Sequence, residues 1–98
     1  MRTVQLRTYT IRPDRLDEWV EKWRTKVVPL RKELGFEIGG SWVDRERNAH
    51  IWVIAYEGEE TFEEANKRYW STSQRDDLNL DPSEYIVEED MRVVEEVL

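Results

Sequence analysis

The chain has 98 residues, and 15 Lys and Arg against 22 Asp and Glu leave a formal charge of −7. That length makes one domain with one modest core, and the acidic balance argues against a phosphate-backbone ligand, which is held by clustered Lys and Arg. With no Cys and a single His, His50, neither a disulfide framework nor a thiolate or His-rich metal site can form within one chain.

The uncharged stretch Ala49 to Tyr56 is far short of the roughly 20 apolar residues of a membrane span. The opening Met-Arg-Thr-Val-Gln lacks the apolar core of a signal peptide, so a cytoplasmic protein is expected. Charged residues make up 38% of the chain, above the roughly 25% of an average domain, but they alternate with apolar residues at readable periods. The chain therefore reads as one folded unit, residues 1–98, with no repeat or linker.

Val4 to Ile11 alternates Val4, Leu6, Thr8 against Gln5, Arg7, Tyr9, which is the period of a strand. Pro13 is placed to open a helix, with Asp14 and Asp17 near the positive end of its dipole. Leu16, Trp19, Val20, Trp23, Val27, Leu30 and Leu34 step by three and four and make one apolar stripe. Gly35 suits a left-handed C-terminal residue, and Pro29 predicts a kink or a broken last turn.

Phe36 to Val43 is the second strand, with Gly39-Gly40 marking a bulge or close backbone approach. A polar turn, Asp44 to Asn48, leads to the third strand, His50 to Tyr56, whose nearly continuous apolar character implies cover on both faces. Thr61 and Glu64 have capping-box spacing ahead of a second, shorter helix carrying Phe62, Ala65 and Tyr69. Ser71 and Ser73 are cap candidates for a further short helix, Asp81-Pro82 is a turn, and Tyr85 to Leu98 is the fourth strand.

Strand, helix, strand, strand, helix, strand is the split βαβ, ferredoxin-like arrangement, an α+β fold. Both helices lie on one face of a four-stranded antiparallel sheet, and the other face needs a partner. A second copy of the sheet is the simplest one, so a homodimer is expected.

At this point the residues resemble a known family. Leu6-Arg7-Thr8-Tyr9-Thr10-Ile11 with Arg12-Pro13-Asp14-Arg15-Leu16 is similar to the opening motif of the NIPSNAP domain. The likeness continues in Val28-Pro29-Leu30-Arg31, Leu34-Gly35-Phe36 and Ile51 to Gly58. It ends with Phe62-Glu63-Glu64-Ala65, Tyr69 to Arg75 and Asp81-Pro82, so the ordered set spans nearly the whole chain.

The resemblance implies a dimeric α/β barrel, two sheets packed face to face, with a small-molecule site between each sheet and its helices. Relatives in that wider group include cofactor-independent monooxygenases, haem-degrading enzymes and polyketide cyclases. The family often has Glu where Gln5 stands. The Asn, Trp, His set of the haem-degrading relatives does not map onto Asn48, Trp52 and His50, so that activity is not implied.

Strand parity groups Gln5, Arg7 and Tyr9, groups His50, Trp52, Ile54 and Tyr56, and groups Glu88, Asp90 and Arg92. If these sets share a face, Arg7 and Asp90 pair beside Tyr9, His50 and Trp52 as a polar patch. A buried charge is costly unless paired or liganded. In the functional reading His50 or Asp90 removes a proton, Arg7 and Tyr9 stabilise the resulting oxyanion, and Trp52 with Trp42 shapes the pocket.

In the plain reading Arg7 and Asp90 form an internal ion pair and His50 is a strand-edge histidine bonded to the turn. Trp23, with Trp19 one turn away, is either core or the wall of a pocket for a flat ligand. Tyr69 and Arg75 belong to a segment that holds a carboxylate or phosphate-like group or else merely caps a helix, with Arg75 paired to Asp76, Asp77 or Asp81.

These residues predict a small-molecule-binding homodimer, either a cofactor-independent enzyme of the monooxygenase, isomerase or cyclase type acting on a small aromatic or activated organic substrate, or a non-catalytic binding or scaffold module. No metal, cofactor, nucleic acid or membrane is expected.

Overall fold

A computed structural model describes residues 1–98. Strands β1 (Arg2–Ile11), β2 (Phe36–Asp44), β3 (Ala49–Glu57) and β4 (Ile86–Val94) form one antiparallel sheet in the order β2-β3-β1-β4. Helices α1 (Leu16–Lys22), α2 (Val28–Glu33), α3 (Phe62–Ser71) and α4 (Ser73–Asp76) complete the ferredoxin-like α+β fold. No helix is long and apolar enough to cross a membrane.

The first helix starts three residues later than Pro13 suggests, at Leu16. Asp14 takes a left-handed backbone, φ 63°, which no helix accepts, and Arg15 N–H closes a turn on Arg12 C=O. Pro29 does not break the helix. A π turn over Trp23–Val27 joins α1 to α2, with the Val28 N–H donating to Trp23 C=O, and Pro29 falls in the first turn of α2, where a missing N–H is tolerated. Gly35, at φ 97°, ends α2 as expected.

Thr61 closes a full capping box with Glu64 at the start of α3, a device worth about 1 kcal/mol. Thr72, and not Ser71 or Ser73, caps α4 by accepting from Arg75 N–H; Ser71 instead donates to Lys67 C=O.

Two bulges set which side chains face the helices. Between Ile38 and Ser41 the β2–β3 register slips at Gly39-Gly40. Phe36 and Ile38 face the helices before the slip, and Ser41 and Val43, opposite Trp52 and His50, face them after it. Between β1 and β4 the register shifts near Thr10 and Ile11, so that Ile86 pairs with Ile11 but Glu88 already pairs with Thr10. Glu89, Met91 and Val93 thereby lie across from Tyr9, Arg7 and Gln5.

The core fills the space between sheet and helices and is rich in rings: Tyr9, Trp19, Trp23, Phe36, Trp52, Phe62, Tyr69 and Tyr85 are buried together, each contributing about 2 kcal/mol or more by burial. The other sheet face carries Val4, Leu6, Ile51 and Val53, all half-buried, with Trp42 exposed beside them.

Candidate functional site

Between the sheet and the helices lies a cavity of ≈120 Å³. β1 contributes Arg7 and Tyr9, β3 contributes Trp52, and the first helical segment contributes Trp19, Trp23, Val27 and Arg31. Tyr69 and Asn66 come from α3, Arg75 from α4, and the exposed Trp70, Glu89 and Met91 stand at the mouth.

Four-residue steps drift round an α-helix of 3.6 residues per turn. The wider π turn between Trp23 and Val27 offsets that drift, so Trp19, Trp23, Val27 and Arg31 all reach one cavity.

Three guanidiniums are buried here: Arg7, Arg31 and Arg75. None forms an ion pair, although eight other ion pairs occupy the surface. Arg7 donates to Gln5 Oε1 at 3.1 Å and to the Tyr9 hydroxyl oxygen at 3.1 Å, and packs over the Trp52 ring at 5.4 Å.

Arg31 donates to Asn66 Oδ1 at 2.8 Å and lies 3.6 Å from the Tyr69 ring centre. Arg75 sits 4.2 Å from Trp70 and 5.8 Å from Tyr69. Burial, and next the charge of Arg7, bring the Arg31 pKa down to about 10. Burial also pushes the Tyr69 hydroxyl up, against the pull of Arg31 and Arg75.

The unmatched polar atoms at this cavity are all donors. Nε of Arg31, Nε of Arg75, and the indole N–H of Trp23 and of Trp52 are buried without a protein acceptor. An unmatched buried donor costs about 1–3 kcal/mol, and a domain of this size has only about 5–15 kcal/mol in total. Four in one place, beside three guanidiniums without ion pairs, make this cavity the candidate site.

His50 is fully buried but does not line the cavity. Its Nδ1 accepts from Trp19 Nε1 at 3.1 Å, which fixes the proton on Nε2, and Nε2 donates to Ser41 Oγ at 2.9 Å. Trp23 packs edge-on at 4.5 Å and Trp52 stacks on it, so desolvation lowers its pKa to about 4. Its lone pair is occupied and its ring is walled off, so it is a fixed part of the scaffold behind Trp52 and not a proton acceptor facing the cavity.

Asp90 lies on the opposite sheet face, across from Thr8, and pairs with Arg92 at 2.8 Å. The expected pair with Arg7 does not form, because the bulge in β4 reverses the parity that the apolar Ile86 sets. Trp42 is likewise on the far face, 56% exposed, its ring lying over Gly40, because the Gly39-Gly40 bulge turns it away from Trp52. Gln5 does not line the cavity; it orients Arg7. Arg7, Tyr9, Trp23, Trp52, Tyr69 and Arg75 are brought together as lining residues. Arg75 pairs with none of Asp76, Asp77 and Asp81.

Sequence reasoning missed Arg31, Asn66, Trp70 and Glu89. Arg31 had a readable signal: it lies four residues beyond Val27, which itself lies four beyond Trp23, and a charge on an apolar stripe is anomalous. No three His, Asp or Glu side chains gather in a metal-binding cluster.

The NIPSNAP family model matches residues 4–97. No curated protein matches the chain. An uncharacterized NIPSNAP domain protein from Burkholderia xenovorans is similar in structure, with TM-score 0.78 and 16% identity over 99% of this chain and 95% of that one. A NIPSNAP family protein from Agrobacterium tumefaciens has TM-score 0.79 and 17% identity over 99% and 94%. A candidate antibiotic biosynthesis monooxygenase from Bacteroides thetaiotaomicron shares the fold at TM-score 0.72 and 19% identity, over 99% and 90%. With a match that runs almost from end to end, the chain belongs to the NIPSNAP family.

Proposed function

We propose that the protein binds a small, planar organic molecule in the cavity beneath its helices and works as a cytoplasmic homodimer. The observation that carries this reading is the cavity itself, an aromatic-walled space of ≈120 Å³ in an otherwise filled core. An apolar cavity of about 150 Å³ takes a benzene molecule, so the guest is compact. Trp23, Trp52 and Tyr69 offer flat faces to it.

A scaffold whose polar interior only fixed register would pair its arginines internally, and none of Arg7, Arg31 and Arg75 is in an ion pair. The dimer is supported by the half-buried Val4, Leu6, Ile51 and Val53 with the exposed Trp42 on the far sheet face, an apolar surface that a second sheet would cover.

A cofactor-independent activity is the second reading, favoured by one feature. Glu89 is the only carboxylate lining the cavity, and it lies directly across the sheet from Tyr9. It replaces His50 and Asp90 as the candidate proton acceptor, with Arg7 and the Tyr9 hydroxyl placed to stabilise an oxyanion. The fold shared with the candidate monooxygenase from Bacteroides thetaiotaomicron is compatible with this.

Titration with small aromatic and unsaturated compounds is expected to quench or shift the tryptophan fluorescence of the wild type, and Trp23→Phe is expected to reduce the change. An unchanged spectrum at millimolar concentrations of every compound contradicts the binding reading. Sedimentation at micromolar concentration is expected to give twice the monomer mass, and a monomer removes the dimer.

A further inference from the structure

We infer that the molecule the cavity takes is a small planar dicarboxylic acid, bound as its dianion. This rests on the cavity being a ligand site, and it goes further by assigning the ligand's charge and donor–acceptor character. Three guanidiniums and the single carboxylate of Glu89 are the charged groups of the lining, which leaves a charge of +2 for a guest to neutralise.

The hydrogen-bonding deficit has the same sense. Arg31 Nε, Arg75 Nε and the indole N–H groups of Trp23 and Trp52 lack acceptors, and no buried side-chain acceptor lacks a donor. A guest that presents acceptor oxygens suits this donor-rich lining, whereas an amine or amide-rich guest only adds donors.

The charge of Arg7 acts on Arg31 more strongly than that of Arg75 does, but the three guanidiniums differ in the rings they pack on. Arg31 and Arg75 both pack on Tyr69, while Arg7 packs on Trp52 beside the Tyr9 hydroxyl. Two carboxylates at the ends of a flat, conjugated spacer therefore meet Arg31 with Arg75 at one end and Arg7 with Tyr9 at the other. The ring faces of Trp52 and Tyr69 cover the spacer. The small volume excludes a nucleotide or any larger phosphorylated metabolite.

Calorimetric titration of the full chain tests this with four probes of similar size: fumarate, the monoanion crotonate, the neutral crotonamide, and inorganic phosphate. Fumarate is expected to bind about tenfold tighter than crotonate, and crotonate about tenfold tighter than crotonamide, with phosphate weaker than fumarate. Arg31→Met and Arg75→Met are each expected to weaken fumarate at least tenfold, with crotonamide little changed, and Arg31→Lys to retain part of the affinity. Circular dichroism confirms that each variant is folded before titration.

Crotonamide binding as tightly as fumarate overturns the dianion inference and leaves the cavity as a ligand site. Phosphate binding as tightly as fumarate moves the anion to an inorganic source and overturns the organic acid. Fumarate affinity that is indifferent to both arginine variants removes it from this cavity. Binding of no probe at millimolar concentration overturns the inference, and the fluorescence titration with aromatic compounds then decides the reading beneath it.

Discussion

Arg31→Met is expected to make the ligand-free protein more stable while abolishing tight ligand binding. Arg31 is almost completely buried, and its pKa is brought down to about 10 by burial first and the charge of Arg7 next. For a base, a folded-state value below the unfolded one is a penalty on the native state. It is present in full below about pH 10 and is relieved as the pH climbs above that, until the unfolded chain also loses its proton. At pH 7 the penalty is about 3 kcal/mol.

Against it stand one hydrogen bond to Asn66 and the contacts with the Phe36 and Tyr69 rings, together worth about 2 kcal/mol. A methionine of similar length keeps much of the ring packing. The net gain is about 1 kcal/mol, a rise of about 4–8 °C in melting temperature for a domain of this size. Scanning calorimetry at pH 7 reads it. A variant that melts well below the wild type means that the charge is compensated within the protein, which contradicts a site awaiting an anion.

Acid is expected to destabilise the protein through His50 by about 3 kcal/mol between pH 6.5 and 4. Folded, His50 is held neutral with its pKa near 4 by desolvation; unfolded, it titrates at 6.5. Above pH 6.5 neither state binds the proton and the stability is whole. As the pH falls through the window the unfolded chain alone gains a proton, and stability drains away until the native imidazole also protonates near pH 4.

The carboxylates of Glu18, Asp44, Glu60 and Asp81, all lowered by hydrogen bonds, lose their contribution in the same direction as the pH falls through the carboxylate range. Comparison with His50→Gln separates the two effects. Gln retains an acceptor for the Trp19 indole N–H and a donor for Ser41, but it does not titrate. Urea denaturation at steps from pH 7.5 to 4 is expected to show a steep wild-type curve and a shallower variant curve. Parallel curves would mean that the imidazole titrates normally and is not sealed behind Trp23 and Trp52.

Both substitutions probe the part of the molecule that was hardest to read from the chain alone. Element order and the ferredoxin-like topology followed from alternation in β1, the apolar run of β3, the Leu16–Leu34 stripe and the capping box at Thr61, all of which are local signals, and the family from the resemblance of ordered motifs along the chain. The lining residues Arg7, Tyr9 and Trp52 followed from simple parity, because β1 and β3 pair along their length without a slip, and Tyr69 from its place on the second helix.

Asp90 and Trp42 went to the wrong face for one shared reason. A bulge adds a single residue, and with a side-chain period of two that residue sends everything beyond it to the other side of the sheet. Gly39-Gly40 announced the first bulge, but the face it sends Trp42 to depends on the pairing partner. Val87 gave no such warning in β4. Parity grouped His50 with Trp52, but its isolation depends on Trp19 reaching across from a different element, which no spacing reveals. Arg31 was hidden because an apolar stripe draws attention to its apolar members.

The bulges have a functional consequence as well as an interpretive one. The shift in β4 turns Asp90 away and brings Glu89 and Met91 to the mouth of the cavity, so that three arginines face a single acidic residue. Had the register run on unbroken, Asp90 would have stood opposite the Arg7 side of β1 and quenched one of the charges. The excess of donors at the site thus depends on one extra residue in an edge strand.

A crystal structure of the protein grown with fumarate tests the occupied cavity most directly. The account predicts density for the acid between the helices and the sheet, one carboxylate within hydrogen-bonding reach of Arg31 and Arg75 and the other within reach of Arg7. Side chains closed over that space with the acid elsewhere, or a cavity holding only solvent at saturating fumarate, would contradict it.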